Sequence, residues 1–192
     1  VNDDFNGASG SNGFFLISNN GLYIFDGAQD VYKSIDDGAT WNKIADNFNL
    51  GNGAITGVGV DSNNNFWAVD NSADIWSSSD GITWTLAKDD YNGAEGNANA
   101  GIIIDSSNSL YVVEDDDDVW KSTNNGINFT KVNDDYNNEG QHAVTIFYFN
   151  NLLYIIEGDE DVWVSSDGVS WTMNAVNFNA GNSNVVGASY FN

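Results

Sequence analysis

An eight-residue segment that recurs four times constrains the fold of this chain more than any other feature of its sequence. Each copy surrounds a Gly with Ser, Thr, Asp or Asn and ends in an aromatic residue. The copies occupy residues 34–41, 77–84, 122–129 and 164–171. Their terminal aromatic residues lie 43, 45 and 42 residues apart. A nearly fixed period of this length indicates a repeat architecture.

The composition of this octet predicts a tight turn between two β-strands. Asp-Gly and Asn-Gly supply the positive-φ positions of such turns, and Ser, Thr and Asp side chains can bond the turn's own amides. The octet resembles the Asp-box, the Ser-x-Asp-x-Gly-x-Thr-Trp motif of sialidases and other secreted β-propellers. The resemblance implies a structural role for Ser34, Asp36, Gly38, Trp41, Gly81, Trp84, Asn124, Gly126, Phe129, Gly168 and Trp171.

The four copies match the Asp-box unequally. The first copy fits the motif fully. When the copies are aligned on their final aromatic residues, Ser79 and Ser166 replace the motif Asp in the second and fourth copies, and Asn124 replaces it in the third. The fourth copy also has Val164 in place of the first Ser. Because Asp-boxes are structural, the resemblance implies a fold and not a function.

The sequence between the octets predicts short strands. Runs of β-branched and aromatic residues alternate with polar turns, and no stretch has the 3.6-residue apolar period of a helix. The first strands of the repeats are predicted at residues 14–18, 55–61, 101–105 and 144–149. Four-stranded units at this period are typical of propeller blades. We therefore predict an all-β fold, a β-propeller of four-stranded Asp-box blades.

A single propeller domain is predicted over residues 1–192. Its complete repeats cover about 1–44, 45–87, 88–132 and 133–174, and a partial fifth repeat covers 175–192. The partial repeat contains one more first strand, Val185–Phe191. This strand could close its own ring, pair with a neighbouring copy, or belong to a larger propeller, since an isolated edge strand has unpaired backbone groups.

The charge of the chain excludes some classes of partner. It has 28 acidic residues against five lysines, for a net charge of −23. Such a field repels nucleic acid, so no nucleic-acid partner is expected. A membrane-spanning helix needs a run of about 18 apolar residues, and no run in this sequence approaches that length. No membrane insertion is therefore expected. The richness in Asn, Gly, Ser and Asp favours an extracellular, cell-surface or virion-surface location, and adaptation to high salt is a competing explanation for the acidity.

Carboxylates concentrate in the turns between the second and third strands. The densest group is Glu114, Asp115, Asp116, Asp117 and Asp118. Carboxylate oxygens at this density suit Ca²⁺, which takes about six to eight oxygen ligands. The alternative is a solvated acidic surface. The fold itself requires no cofactor, and Ca²⁺ is the one ion that this pattern favours.

The linkers between the repeats each contain an aromatic residue followed by Asn. These pairs offer stacking and hydrogen bonding to a sugar, so they are candidate ligand-binding residues. The alternative is that each aromatic residue seals the contact between adjacent blades. The aromatic residues are Phe5, Phe48, Tyr91, Tyr136 and Phe178. The following asparagines are Asn6, Asn49, Asn92, Asn137 and Asn179.

No catalytic site is predicted. The chain has no Arg, so it cannot provide the arginine cluster with which sialidases hold their substrate. Its single histidine, His142, lies in a linker without a supporting motif. We predict a non-catalytic structural or adhesion protein that forms a homo-oligomer or filament by strand completion through Gly181–Asn192. The alternative is a lectin-like propeller that binds glycans, and a glycoside hydrolase with two carboxylates comes third.

Overall fold

The structure is all-β and forms four antiparallel sheets, which we number as blades 1 to 4 in chain order. It is a computed structural model that describes residues 13–93, 99–137 and 142–176. Within these ranges there is no helix with the length and apolar character needed to cross a bilayer. The predicted all-β propeller with four-stranded repeats is confirmed.

The sixteen strands fall into four groups of four. Blade 1 contains β1 (Phe14–Ser18), β2 (Gly21–Phe25), β3 (Val31–Ser34) and β4 (Asn42–Ala45). Blade 2 contains β5 (Ile55–Val60), β6 (Phe66–Asp70), β7 (Ile75–Ser78) and β8 (Thr85–Lys88). Blade 3 contains β9 (Asn99–Ile104), β10 (Leu110–Glu114), β11 (Val119–Ser122) and β12 (Thr130–Asn133). Blade 4 contains β13 (Ala143–Phe149), β14 (Leu152–Glu157), β15 (Val162–Ser165) and β16 (Thr172–Ala175).

Every blade has the same internal order, with each strand paired to the next along the chain. The pairing between the third and fourth strands shifts by one residue at the same place in each blade. The shifts lie at Val31/Tyr32, Ile75/Trp76, Val119/Trp120 and Val162/Trp163. A bulge of this kind increases the local twist and redirects a side chain. Here it recurs beside the aromatic residue of each third strand.

The blades pack face to face along the chain, and their first strands line the inner side. Strand β1 contacts β5, β5 contacts β9, and β9 contacts β13. Among the described residues β13 does not contact β1, so the four blades form an arc in which blades 1 and 4 are the two ends. Three hydrophobic clusters hold the arc together, one between each pair of consecutive blades. The core of the molecule therefore lies between blades.

Glycines allow two inner strands to approach closely. A Cβ atom on Gly57 of β5 would lie 2.6 Å from the Cα atom of Gly101 in β9. A Cβ atom on Gly59 would lie 2.4 Å from Cδ1 of Ile104. Blades 2 and 3 can therefore meet at this distance only because β5 has no side chain at these two positions.

We expect the replacement Gly57→Ala to lower the free energy of unfolding by about 1–3 kcal/mol, because the added methyl group meets backbone atoms that cannot move aside. The control Gly158→Ala adds a methyl group 3.8 Å from Cγ2 of Val144, an ordinary contact. It should change the free energy of unfolding by less than about 1 kcal/mol. Urea denaturation of the two variants measures the difference, and equal effects would contradict the close packing.

Candidate functional site

The first octet forms a hydrogen-bonded turn around the side chain of Asp36. Ser34 Oγ donates to Asp36 Oδ1 at 2.8 Å, and the amide of Thr40 donates to the same oxygen at 2.8 Å. The Thr40 hydroxyl donates to Asp36 Oδ2 at 2.6 Å. These bonds from Thr40 and Ser34 stabilise the charged carboxylate and lower the pKa of Asp36 to about 2. Trp41 closes the turn by donating from Nε1 to the carbonyl of Gly38 at 3.1 Å.

The second and fourth octets use a different residue from the one that the sequence predicts. The carboxylates of Asp80 and Asp167, and not Ser79 or Ser166, accept the bonds of the turn. The amide of Thr83 donates to Asp80 Oδ1 at 2.8 Å, and the amide of Ser170 donates to Asp167 Oδ1 at 2.9 Å.

The same correction applies to the first serine of these two turns. Ser78 Oγ donates to Asp80, and Ser165 Oγ donates to Asp167, so Val164 does not replace the first Ser. The prediction was wrong because these turns are one residue shorter, so counting back from the final aromatic residue shifts the register. In the third turn Asn124 is correctly aligned, since its Oδ1 accepts from the amide of Asn128 at 3.0 Å.

Buried carboxylates lie at the ends of the second strands, at the end of each blade away from the octet turns, and accept several hydrogen bonds there. In blades 2 to 4 each carboxylate accepts a bond from the Trp of the neighbouring third strand. The bonds run from Trp76 Nε1 to Asp70 at 3.0 Å, from Trp120 Nε1 to Glu114 at 2.7 Å, and from Trp163 Nε1 to Glu157 at 2.9 Å. Burial raises the pKa of Glu114 and Glu157, although their hydrogen bonds oppose the rise.

The linker residues complete these buried carboxylate sites. The hydroxyl groups of Tyr91 and Tyr136 donate to Glu114 and Glu157, each at 2.9 Å. The side-chain amides of the following asparagines donate to the same carboxylates, and Asn49 donates in the same way to Asp70. These three bonds join Asn49 to Asp70, Asn92 to Glu114, and Asn137 to Glu157. Each of these three linkers therefore supplies hydrogen-bond donors to the buried carboxylate of the blade that follows it.

The burial of the linker residues contradicts their prediction as a sugar-binding surface. Phe48, Tyr91 and Tyr136 are 7%, 3% and 4% exposed, and Asn49, Asn92 and Asn137 are also buried. Phe48 stacks on Trp84 with ring centroids 4.3 Å apart, inside the contact between blades 1 and 2. No ring face is open to a ligand at these three linkers. Phe5, Asn6, Phe178, Asn179 and the strand-completion segment Gly181–Asn192 lie outside the described residues.

The predicted calcium ligands do not converge on one point. Only Glu114, Asp116 and Asp118 bring carboxylate oxygens within 4.8 Å of one another. Glu114 already accepts three donors, and Asp118 forms an ion pair with Lys131. Asp115 and Asp117 are not part of this group. A second group of the same kind, which sequence reasoning missed, comprises Glu157, Asp159 and Asp161 in blade 4.

Asp117 is the acidic residue with the least favourable surroundings. Its side chain is 3% exposed, and its Oδ1 atom has no hydrogen-bond partner. Burial, together with the negative charge of Glu157, raises its pKa to about 7. The backbone of Asp117 has a φ of 68°, in the left-handed region that Asn and Asp tolerate best.

We expect Asp117→Asn to stabilise the protein at pH 8. Because the folded-state pKa is about 7 against the ordinary 3.8, the folded wild type binds more protons than the unfolded chain between these values and loses stability as the pH rises through them. The gain should be about 1–4 kcal/mol at pH 8 and should shrink towards pH 4. Thermal unfolding across this range tests it, with the exposed Asp116→Asn as a control of equal charge change. Parallel pH profiles for the two variants would contradict it.

The two ends of the arc expose apolar surfaces, which we define by their residues. The first-blade end face comprises Phe15, Ile17, Leu22 and Ile24. The fourth-blade end face comprises Phe147, Tyr154, Ile156, Val162 and Val164. Cross-strand pairing places the strand residues of each set on one side of their sheet, and Trp41 lies edge-on to Phe15 with centroids 6.5 Å apart. Most of the same positions in the inner repeats are also apolar, so the sequence alone does not distinguish these faces.

Residues 2–135 match the family model described as the DUF6242 beta propeller domain. The chain belongs to this family. No curated protein matches the sequence.

Solved propellers resemble the arc at low sequence identity. YCF48 bound to a D1 peptide superposes with a TM-score of 0.62 at 14% identity, over 85% of this chain and 53% of YCF48. A streptogramin B lyase superposes with a TM-score of 0.66 at 16% identity, over 86% of this chain and 54% of the lyase. A protein of unknown function from Bacteroides thetaiotaomicron superposes with a TM-score of 0.64 at 15% identity, over 89% of this chain and 49% of that protein. These likenesses show the fold alone, and the chain spans about half the length of each of these propellers.

Proposed function

We propose that this protein is a non-catalytic structural protein that assembles with other propeller blades through its two end faces. The observation that carries the proposal is a difference between equivalent positions of the repeats. Second-strand positions that are buried in every contact between consecutive blades are partly open to solvent at the ends of the arc. We expect the assembly to act in structure or adhesion at an extracellular, cell or virion surface, in keeping with the composition.

The first-blade end face gives the clearest contrast. Phe15 and Ile17 are 50% and 44% exposed. Their equivalents in blade 3, Ile102 and Ile104, are 3% and 7% exposed because blade 2 covers them. Leu22 and Ile24 on the neighbouring strand are also partly open, and their counterparts in blades 2 to 4 are buried. These counterparts are Phe66, Ala68, Leu110, Val112, Leu153 and Ile155.

The fourth-blade end face repeats the contrast on the opposite side of a sheet. Tyr154 and Ile156 are partly exposed. The residues at the same two positions in blades 1 to 3 are buried, and these are Tyr23, Phe25, Trp67, Val69, Tyr111 and Val113. Burying apolar surface yields about 25 cal/mol per Å². Contiguous apolar patches of this kind mark interaction sites on soluble proteins, which supports docking at both ends.

The absence of catalysis is part of the same proposal. The carboxylates that could serve as an acid–base pair are largely used by the fold: Asp70, Glu114 and Glu157 accept bonds from Trp and Asn side chains. Asp30 and Asp118 are paired with lysines. A propeller such as the streptogramin B lyase can carry an active site, so turnover on a panel of chromogenic glycosides is the direct check.

Carbohydrate binding is a second candidate function, supported by a groove between blades 2 and 3. The groove has a volume of about 480 Å³ and an uncharged lining, in a chain with a net charge of −23. Amide and hydroxyl groups dominate this lining, and they belong to Asn63, Asn65, Ser77, Ser79, Thr83 and Asn125. Such groups suit the hydroxyl groups of a neutral sugar.

A glycan array tests the second candidate. We expect a neutral glycan to bind and the variant Asn63→Ala to weaken it by about tenfold, or about 1.4 kcal/mol, since one hydrogen-bonding group is lost. Asn19→Ala, in the corresponding turn of blade 1, should leave binding unchanged. The absence of binding to every glycan would remove this candidate.

The proposed assembly is tested by the mass of the full chain in solution. We expect light scattering to give a multiple of the 20.8 kDa chain mass, both in calcium and in excess chelator, because the docking faces are apolar. A single-chain mass under all conditions would contradict assembly. Dissociation in chelator would instead make an acidic group such as Glu157, Asp159 and Asp161 a Ca²⁺ site that holds the assembly together.

A further inference from the structure

We propose that the docking partner is a second copy of this chain, placed head to tail. The first-blade end face of each copy would pack on the fourth-blade end face of the other, at two identical contacts, to close an eight-bladed ring. This inference rests on the proposed function, since it names the partner of the same two faces. The evidence is the set of three contacts between consecutive blades inside one chain, because these contacts show which residues pack against the equivalents of each end face.

An aromatic ring and a glycine meet in each internal contact. A Cβ atom on Gly81 would lie 3.2 Å from Cε1 of Tyr23, and one on Gly126 would lie 2.9 Å from Cζ3 of Trp67. One on Gly168 would lie 2.4 Å from Cε1 of Tyr111. The octet turn of each blade therefore lies directly on an aromatic ring of the blade before it, and only glycine leaves room for that ring.

The two ends of the arc hold the unmatched halves of this contact. Gly38 occupies the glycine position in blade 1, but of the residues that the structure describes a Cβ atom there would meet only Leu22 and Trp41, both of its own blade, at 3.8 Å. Tyr154 occupies the aromatic position in blade 4, and among the described residues its one ring contact is with Phe147 of the same sheet, with centroids 5.0 Å apart. A second copy supplies a Tyr154 for Gly38 and a Gly38 for Tyr154.

The neighbouring apolar positions complement each other in the same sense. Between blades 1 and 2, the ring of Tyr23 lies 4.7 Å from the ring of Phe66, centroid to centroid. The equivalents of these residues at the two ends of the arc are Tyr154 and Leu22. The head-to-tail contact therefore pairs an aromatic ring with an aliphatic side chain. Contact between two like faces would leave both halves of the glycine contact unmatched.

The number of blades is consistent with two copies in one ring. Two copies supply eight blades and, since both contacts are the same, would leave no end face open. Each copy has a net charge of −23, so the copies repel one another and salt should strengthen the pairing.

The first part of the test is the mass of the full chain against concentration. We expect light scattering to give twice the 20.8 kDa chain mass, with a dissociation constant that falls as NaCl is raised. An open filament or another multiple would overturn the two-copy ring and leave the proposed docking function standing. A single-chain mass at every concentration, for the wild type and for the end-face variants alike, would overturn the two-copy ring and the proposed docking function together.

The second part of the test distinguishes head-to-tail from like-face pairing. Ile17→Asp and Tyr154→Asp alter opposite ends of the chain, and each should raise the dissociation constant at least about 100-fold, because an unpaired carboxylate would be buried at both contacts. Ile82→Asp, at an isoleucine that is 55% exposed on an octet turn, should not change it. If only one of the two end-face variants weakened the dimer, the contact would join like faces and the ring would be excluded.

Crosslinking supports the test where a variant fails to fold. The chain has no Cys, so Leu22→Cys with Tyr154→Cys introduces the only two thiols. A short bismaleimide should join two chains of this double variant into a covalent dimer, whereas each single variant should remain a monomer on a denaturing gel. Thermal unfolding of Tyr154→Asp and of the milder Tyr154→Ser identifies any loss of fold. If the double variant is folded but forms no crosslinked dimer, the proposed head-to-tail geometry is overturned.

Discussion

The structure depends on the contact between consecutive blades, since the buried apolar side chains lie there and not inside any one sheet. Each blade is a single layer with two faces, and neither face can be buried by the blade alone. The octet turn contributes a glycine to this contact, and the linker contributes an aromatic ring and an asparagine. The four repeats are similar in sequence because each must fit the face of its neighbour.

The acidity of the chain is partly internal. Glu114 and Glu157 are buried and accept bonds from Trp, Tyr and Asn side chains, while Asp36, Asp80 and Asp167 bind the amides of exposed turns. These arrangements shift the pKa values in opposite directions, upwards for the buried glutamates and downwards for the turn aspartates. The net charge therefore says little about ligands until each carboxylate is assigned to the fold or to the surface.

The repeat explains why strands were easier to predict than sites. A recurring Asp-Gly or Asn-Gly turn and a regular apolar pattern depend on local geometry, so sequence reasoning found four-stranded blades. It misassigned Ser79 and Ser166 because a turn with one residue fewer shifts the alignment without changing its chemistry. It interpreted Tyr91 and Asn92 as sugar-binding residues because the sequence of a linker does not show whether the neighbouring blade buries its aromatic residue.

By itself the sequence determined the all-β class, the four-blade repeat and the octet turns, because these follow from residue periodicity and from the backbone needs of Gly, Asn and Asp. Only the tertiary structure decided which carboxylates are buried and which aromatic residues lie between blades. It also separated the end faces at Ile17 and Tyr154 from equivalent positions in the inner blades. Burial is a property of what packs against a residue, and equivalent residues of a repeat differ in their neighbours even where their sequences agree.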